Sequence, residues 1–141
     1  MAQLIADRRD IDFVLHEMLA VENLTKTAKF NDFNRKTFDL IINEARRFAL
    51  KEMLPIYPDG DRLGVRYTSD GSVQVPESFH RAHKLYLESE WAAPSAPPEY
   101  GGQGLPHAIR AAAEEYFQGA NWALCAYGSM GAGTAHMIQL Y

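Results

Sequence analysis

His80 and His83 stand three residues apart with Glu77 three residues earlier, a spacing that on a helix gathers two imidazoles and a carboxylate on one face, as in part of a zinc site. No fourth ligand is supplied and the neighbours are ordinary surface residues, so packed or solvated histidines are the simpler reading and no metal is expected. Glu114 and Glu115 resemble a carboxylate pair for acid–base work. Adjacent helical positions point about 100° apart, so one is expected to face solvent and the other a contact between domains or subunits. Gly128-Ser129-Met130-Gly131-Ala132-Gly133 is as glycine-rich as a phosphate-binding turn. Its spacing is Gly-x-x-Gly-x-Gly, however, whereas the dinucleotide fingerprint runs Gly-x-Gly-x-x-Gly straight after a strand. Cys125, the single cysteine, sits among apolar neighbours that suit a buried, inert thiol. No residue in this set is expected to be catalytic.

Composition narrows the classes further. A chain of 141 residues, 47% apolar and 23% charged, fits one soluble globular domain with a core. The net charge is −4 and the basic residues are scattered, with Arg8-Arg9 and Arg46-Arg47 the only adjacent arginine pairs, so no nucleic-acid partner is expected. One cysteine rules out an internal disulfide framework. Met1 to Arg9 lacks a long apolar run followed by a small-residue cleavage site, which points to a reducing cytoplasm.

Helical periodicity positions these residues. Ile11, Val14, Leu15, Met18 and Leu19 recur at threes and fours, with Asp7 and Asp10 placed at the positive end of a first helix. A second helix should start near Asn31 or Asp32 and run to about Leu54, its stripe being Phe38, Ile41, Ile42, Ala45, Phe48, Ala49 and Met53, and should end at Pro55 and Pro58. Tyr57 to Val75 reads as a small hairpin or extended loop around Asp70-Gly71. Pro76 can open a third helix carrying Phe79, Ala82, His83, Tyr86 and Leu87 inward up to Trp91. A fourth places Ile109, Ala112, Ala113, Tyr116 and Phe117 on one face, until Gly119 or Asn121 interrupts it.

From Tyr116 to Tyr141 there is no Asp, Glu, Lys or Arg. Asn121, His136, Gln139 and the glycines Gly128, Gly131 and Gly133 argue against a membrane span. The expectation is a helix buried on most sides, its glycines letting another backbone or a ligand approach closely. The chain ends inside this apolar pattern and looks cut short. The whole predicts an all-α fold, an up-down bundle of about five helices with a small hairpin or extended loop near 60–75.

Between the third and fourth helices lies Trp91-Ala92-Ala93-Pro94-Ser95-Ala96-Pro97-Pro98-Glu99-Tyr100-Gly101-Gly102-Gln103-Gly104-Leu105-Pro106. Prolines fix φ and glycines allow φ > 0, so this is a shaped connector, to which Glu99 and Tyr100 can add anchoring hydrogen bonds. Its wording resembles the Pro-x-Glu-Tyr-Gly-Gly-x-Gly-Leu loop of acyl-CoA dehydrogenases, flavoenzymes that oxidise acyl-CoA thioesters at the α,β carbons. In that family the loop joins two helices of the N-terminal helical domain, after a Trp-like aromatic that here is Trp91. Arg9-Asp10-Ile11-Asp12-Phe13-Val14-Leu15-His16-Glu17 and the run from Asp70 to Phe79 look like the long-form, 3-methylmercaptopropionyl-CoA dehydrogenase-like branch.

The resemblance implies that residues 1–141 are the N-terminal helical domain, without the β-domain and C-terminal helical domain that follow in the family. It implies FAD and an acyl-CoA substrate in fatty acid metabolism, a homo-oligomer and an electron-transfer partner. In the family the catalytic glutamate and most of the flavin site come from the later parts, so these residues alone are expected to be inactive. By position, the helix from Asn121 to Thr134 matches the one lining the acyl tail, which assigns Leu124, Tyr127, Met130, Gly131 and Thr134 to the substrate wall. The alternative is a non-catalytic helical module that binds a partner protein through its apolar 120–141 helix.

Overall fold

A computed structural model describes residues 5–140, with side chains through Ile138. Met1–Leu4 and Tyr141, on which parts of the leader and chain-end readings rest, lie outside these residues. The fold is the expected all-α bundle with one small two-stranded sheet. Helix α1 (Arg8–Asp12) is capped by Asp7, whose carboxylate accepts from the Arg9 N–H at 2.8 Å. It widens at once into a π-helical stretch, Phe13–Met18, which is followed by a 3-10 stretch, Val21–Lys26. That change of pitch breaks the expected stripe: Ile11 and Leu15 are buried, while Val14, Met18 and Leu19 are exposed.

Helix α2 (Arg35–Phe48) begins a few residues later than predicted. Asn34, in extended conformation, accepts from the Thr37 N–H at 3.0 Å, and this cap sets the start. Phe38, Ile42, Ala45, Ala49 and Met53 are buried along one face, with Ile41 and Phe48 packed beside them. Pro55 and Pro58 do not release the chain into a loop. Because Pro55 lacks an N–H and would crowd the preceding turn, the helix widens into a π stretch, Ala49–Met53, and tightens into a 3-10 turn, Leu54–Ile56. A further helix, α3 (Tyr57–Leu63), follows where the sequence suggested only a loop, with Pro58 in its first turn, a position that needs no N–H partner.

The hairpin is as expected but shorter. Strands β1 (Arg66–Tyr67) and β2 (Val73–Gln74) pair antiparallel across a turn in which Gly71 adopts φ 85°. Helix α4 (Glu77–Glu88) starts after Pro76 and buries Phe79, Ala82 and Tyr86; His83 is half-buried and Leu87 exposed. It stops short of Trp91 because Glu90 takes φ 61°, which lets the Trp91 N–H reach back to the Tyr86 carbonyl at 3.1 Å and turns the indole inward.

Helix α5 (His107–Ser129) supplies the centre of the core. Ile109, Ala112, Ala113, Tyr116 and Phe117 are all buried, as the periodicity predicts. The ring of Phe117 meets Phe48, Tyr86 and Trp91 edge-on, with centroids 5.9, 5.6 and 5.1 Å away. Asn121, with φ −162° and ψ 88°, kinks the helix; Gly119 does not interrupt it. Helix α6 (Gly131–Leu140) continues beyond Met130. No helix among the described residues is long and apolar enough to cross a membrane.

Candidate functional site

The kink at Asn121 turns the second half of α5 onto α4, and between them lies a groove of about 550 Å³. Phe79 and Leu87 of α4 and Leu124 and Tyr127 of α5 give it apolar walls, with His80 and His83 beside them. The helices come close because position 128 is glycine: a Cβ there would stand 2.3 Å from the Tyr86 ring. Burial pushes the Tyr86 hydroxyl well above its ordinary value, so it stays neutral. Beneath the groove wall Cys125 is buried; burial also pushes its thiol up, against a hydrogen bond from Ser129, which fits the inert reading.

The five residues assigned to the substrate wall divide. Leu124 and Tyr127 meet in the groove, Leu124 buried and Tyr127 half-exposed. Met130 is 78% exposed, Gly131 and Thr134 are exposed, and a Cβ on Gly131 or Gly133 would meet nothing within 4 Å. Close packing therefore explains Gly128 and not Gly131 or Gly133. The expectation of a helix buried on most sides is likewise corrected: past the kink Leu124 and Cys125 are buried, but Trp122, Tyr127, Met130, Met137 and Ile138 are exposed. Neutral residues signal burial only where another element covers them, and α4 covers one side.

The Pro/Gly loop holds its shape through its own backbone. The N–H groups of Gln103 and Leu105 both donate to the Pro94 carbonyl, at 3.2 and 3.0 Å, and Gly104 donates to Ala96 at 2.9 Å. Gly101 and Gly104 have φ of 78° and 65°. Gly102 is required for another reason, since a Cβ on it would lie 2.1 Å from the Ala96 oxygen. Glu99 and Tyr100 are exposed, so the expected side-chain anchors are replaced by backbone bonds. A second groove of about 490 Å³ runs between this loop and α6, with Pro97, Pro98 and Gly133 in its wall and Lys29, Arg110 and His136 at its rim.

Glu114 is bonded to Arg110 at 2.7 Å and Glu115 is exposed, so they do not act as a pair. The carboxylate at the first groove, Glu88, is exposed and faces Lys84 at 3.7 Å. Neither is a water-excluded base. Sequence reading missed one polar cluster: Asp12, His16 and Asp39, the one group with metal-ligand spacing among the described residues. The Arg8 guanidinium lies 2.9 Å from Asp12 and 3.3 Å from Asp39, and the buried His16 ring meets Glu22 at 2.6 Å and Asp39 at 3.2 Å, so an arginine already pairs with the carboxylates a metal would need. Partial burial works to raise the Glu22 carboxyl, but its backbone N–H, His16 and Arg35 outweigh that and hold it low. This cluster ties the first turns to α2 and stands apart from the groove.

No family model matches the chain. It is 28% identical over 113 residues to the 3-methylmercaptopropionyl-CoA dehydrogenase of Ruegeria pomeroyi, a match covering 80% of this chain and 19% of that protein. It is 30% identical over 139 residues to the broad-specificity linear acyl-CoA dehydrogenase FadE5 of Mycobacterium tuberculosis, covering 98% of this chain and 23% of that one. The chain belongs to the acyl-CoA dehydrogenase family. It spans about a fifth of the length of these curated relatives. Acyl-CoA dehydrogenases carry a flavin, and the residues described here do not by themselves fit one. The larger groove is an apolar trough whose polar groups are imidazoles, an ammonium, a carboxylate and the Tyr127 phenol, and among the described residues no glycine-rich turn follows a strand to cradle a pyrophosphate.

Proposed function

We propose that this chain is the N-terminal helical domain of a flavin-dependent acyl-CoA dehydrogenase, in the 3-methylmercaptopropionyl-CoA dehydrogenase-like branch, which converts an acyl-CoA thioester to the trans-2-enoyl-CoA. The domain contributes one wall of the acyl pocket and packing against flavin-bearing parts of the enzyme. The flavin of this family would supply the electron acceptor, and the base for the α-proton would lie outside these 141 residues. Homo-oligomerisation, an electron-transfer partner and a cytoplasmic location belong to the same reading.

The observation that carries it is the trough between α4 and the kinked α5, with Leu124 and Tyr127 in its wall and Met130, Gly131 and Thr134 continuing along the same chain segment. Apolar walls suit an alkyl tail, and methionine adapts to varied tails. Exposed Trp122, Met137 and Ile138 favour a second reading, a protein-interaction module working through the same helices.

Gly131 tests the extent of the proposed substrate wall. A leucine there meets open space and is a better helix former than glycine, so the fold should hold. In the native full-length protein Gly131→Leu is expected to weaken long-chain acyl-CoA binding about tenfold and to leave bound flavin unchanged, measured by titration calorimetry and the flavin spectrum. Unchanged affinity for every acyl-CoA tested would remove Gly131 from the wall.

A further inference from the structure

Asn121 is a buried polar residue at the centre of the described core, 1% exposed, and both ends of its carboxamide are engaged. Its oxygen accepts from the Leu124 N–H at 3.1 Å, which caps the second half of α5 at the point where the backbone leaves helical geometry. Its nitrogen donates to the Met53 carbonyl at 3.3 Å, 68 positions away in sequence, in the stretch where α2 departs from the regular i→i+4 ladder. The two partners fix the orientation of the amide, because an N–H must meet oxygen and a C=O must meet a donor. One side chain therefore starts the second half of α5 and ties that start to α2. Leu124 stands one turn beyond the kink, and Tyr127 one turn further, in the wall of the groove.

We infer that Asn121 is a positioning residue for the acyl groove: its tie to Met53 sets the direction of Trp122–Ser129, and with it the fit of the Leu124 and Tyr127 wall to a long acyl tail. This rests on the proposed acyl-CoA reading. It assigns to Asn121 a role in chain-length discrimination that no contact with substrate is needed to exert. A short acyl group would hardly reach the misplaced wall, whereas a long one would lose contacts along it.

The test uses the native full-length protein with Asn121→Asp, which keeps the acceptor for the Leu124 N–H and sets an oxygen against the Met53 carbonyl. Asn121→Ser keeps a short capping oxygen without the reach to Met53 and serves where the aspartate variant does not fold. Binding of butanoyl-CoA and hexadecanoyl-CoA is measured by calorimetry, alongside amide exchange of residues 122–129. Faster exchange there, about tenfold weaker hexadecanoyl-CoA binding and butanoyl-CoA binding within about twofold is the expected result. A purely structural role would leave the ratio of the two affinities unchanged. Faster exchange with an unchanged ratio overturns the role of Asn121 and leaves the acyl-CoA reading standing. Failure of the wild-type protein to bind either thioester overturns both.

Discussion

Phe117→Ala is expected to destabilise this domain by about 3–5 kcal/mol. The ring is 1% exposed and lies where α2, α4, the start of the Pro/Gly loop and α5 converge. Its loss leaves a cavity that three other aromatic rings, each fixed on its own element, cannot close without moving those elements. A domain of this size has about 5–15 kcal/mol of total stability, so the variant should stand near the edge of folding at 37 °C. Urea unfolding followed by circular dichroism gives the measurement, read as a fall in midpoint at constant slope. A loss below about 1 kcal/mol would mean that the cluster collapses freely around the vacancy and is not the keystone described.

Gly102→Ala is expected to cost as much as an overpacked core, at or beyond the upper end of about 1–3 kcal/mol. The added methyl would meet the Ala96 carbonyl at 2.1 Å and its carbon at 2.5 Å, and backbone cannot swing aside as a side chain can. Opening the loop to admit it strains the Gly104 to Ala96 bond and disturbs Leu105 and Pro106, which are buried at the entrance to α5. Gly101→Ala is the control. A Cβ at Gly101 meets nothing within 4 Å, and its penalty is the left-handed backbone alone, about 1–2 kcal/mol. Thermal unfolding of the pair should rank Gly102→Ala as the more damaging. The reverse order would show that loop conformation, and not the close approach to Ala96, is what the glycines protect.

The bundle was legible in the sequence because its core lies on regularly spaced positions. Phe38, Ile42 and Ala45 on α2, and Ile109, Ala112, Ala113, Tyr116 and Phe117 on α5, repeat at threes and fours and are buried. A break was also legible, at Gly119 or Asn121 between two apolar runs, and it falls at Asn121. What local pattern does not carry is a change of pitch. The π stretches at Phe13–Met18 and Ala49–Met53 rotate the face that follows, which displaces Val14, Met18 and Leu19 to the surface and carries the chain past Pro55 into α3. Of the candidate groove, only part was readable. Leu124 and Tyr127 fall in one groove with α4, but the long tie from Asn121 to Met53 and the Arg8, His16 and Asp39 cluster join residues far apart in sequence, which no local spacing reveals. Exposure of Met130 and Ile138 was misread for a related reason: hydrophobic composition reports a wish to be covered and not what covers it.

We propose that this chain forms part of a flavin-dependent acyl-CoA dehydrogenase. The most direct test is the visible spectrum of the native product, isolated from its source cells with an antibody to this domain, before and after addition of a mixture of acyl-CoAs. A yellow protein, heavier than 15.9 kDa, whose flavin absorbance bleaches as the thioesters are oxidised to enoyl-CoAs, is the expected result. A colourless product that leaves every acyl-CoA unchanged would contradict it and favour the interaction module.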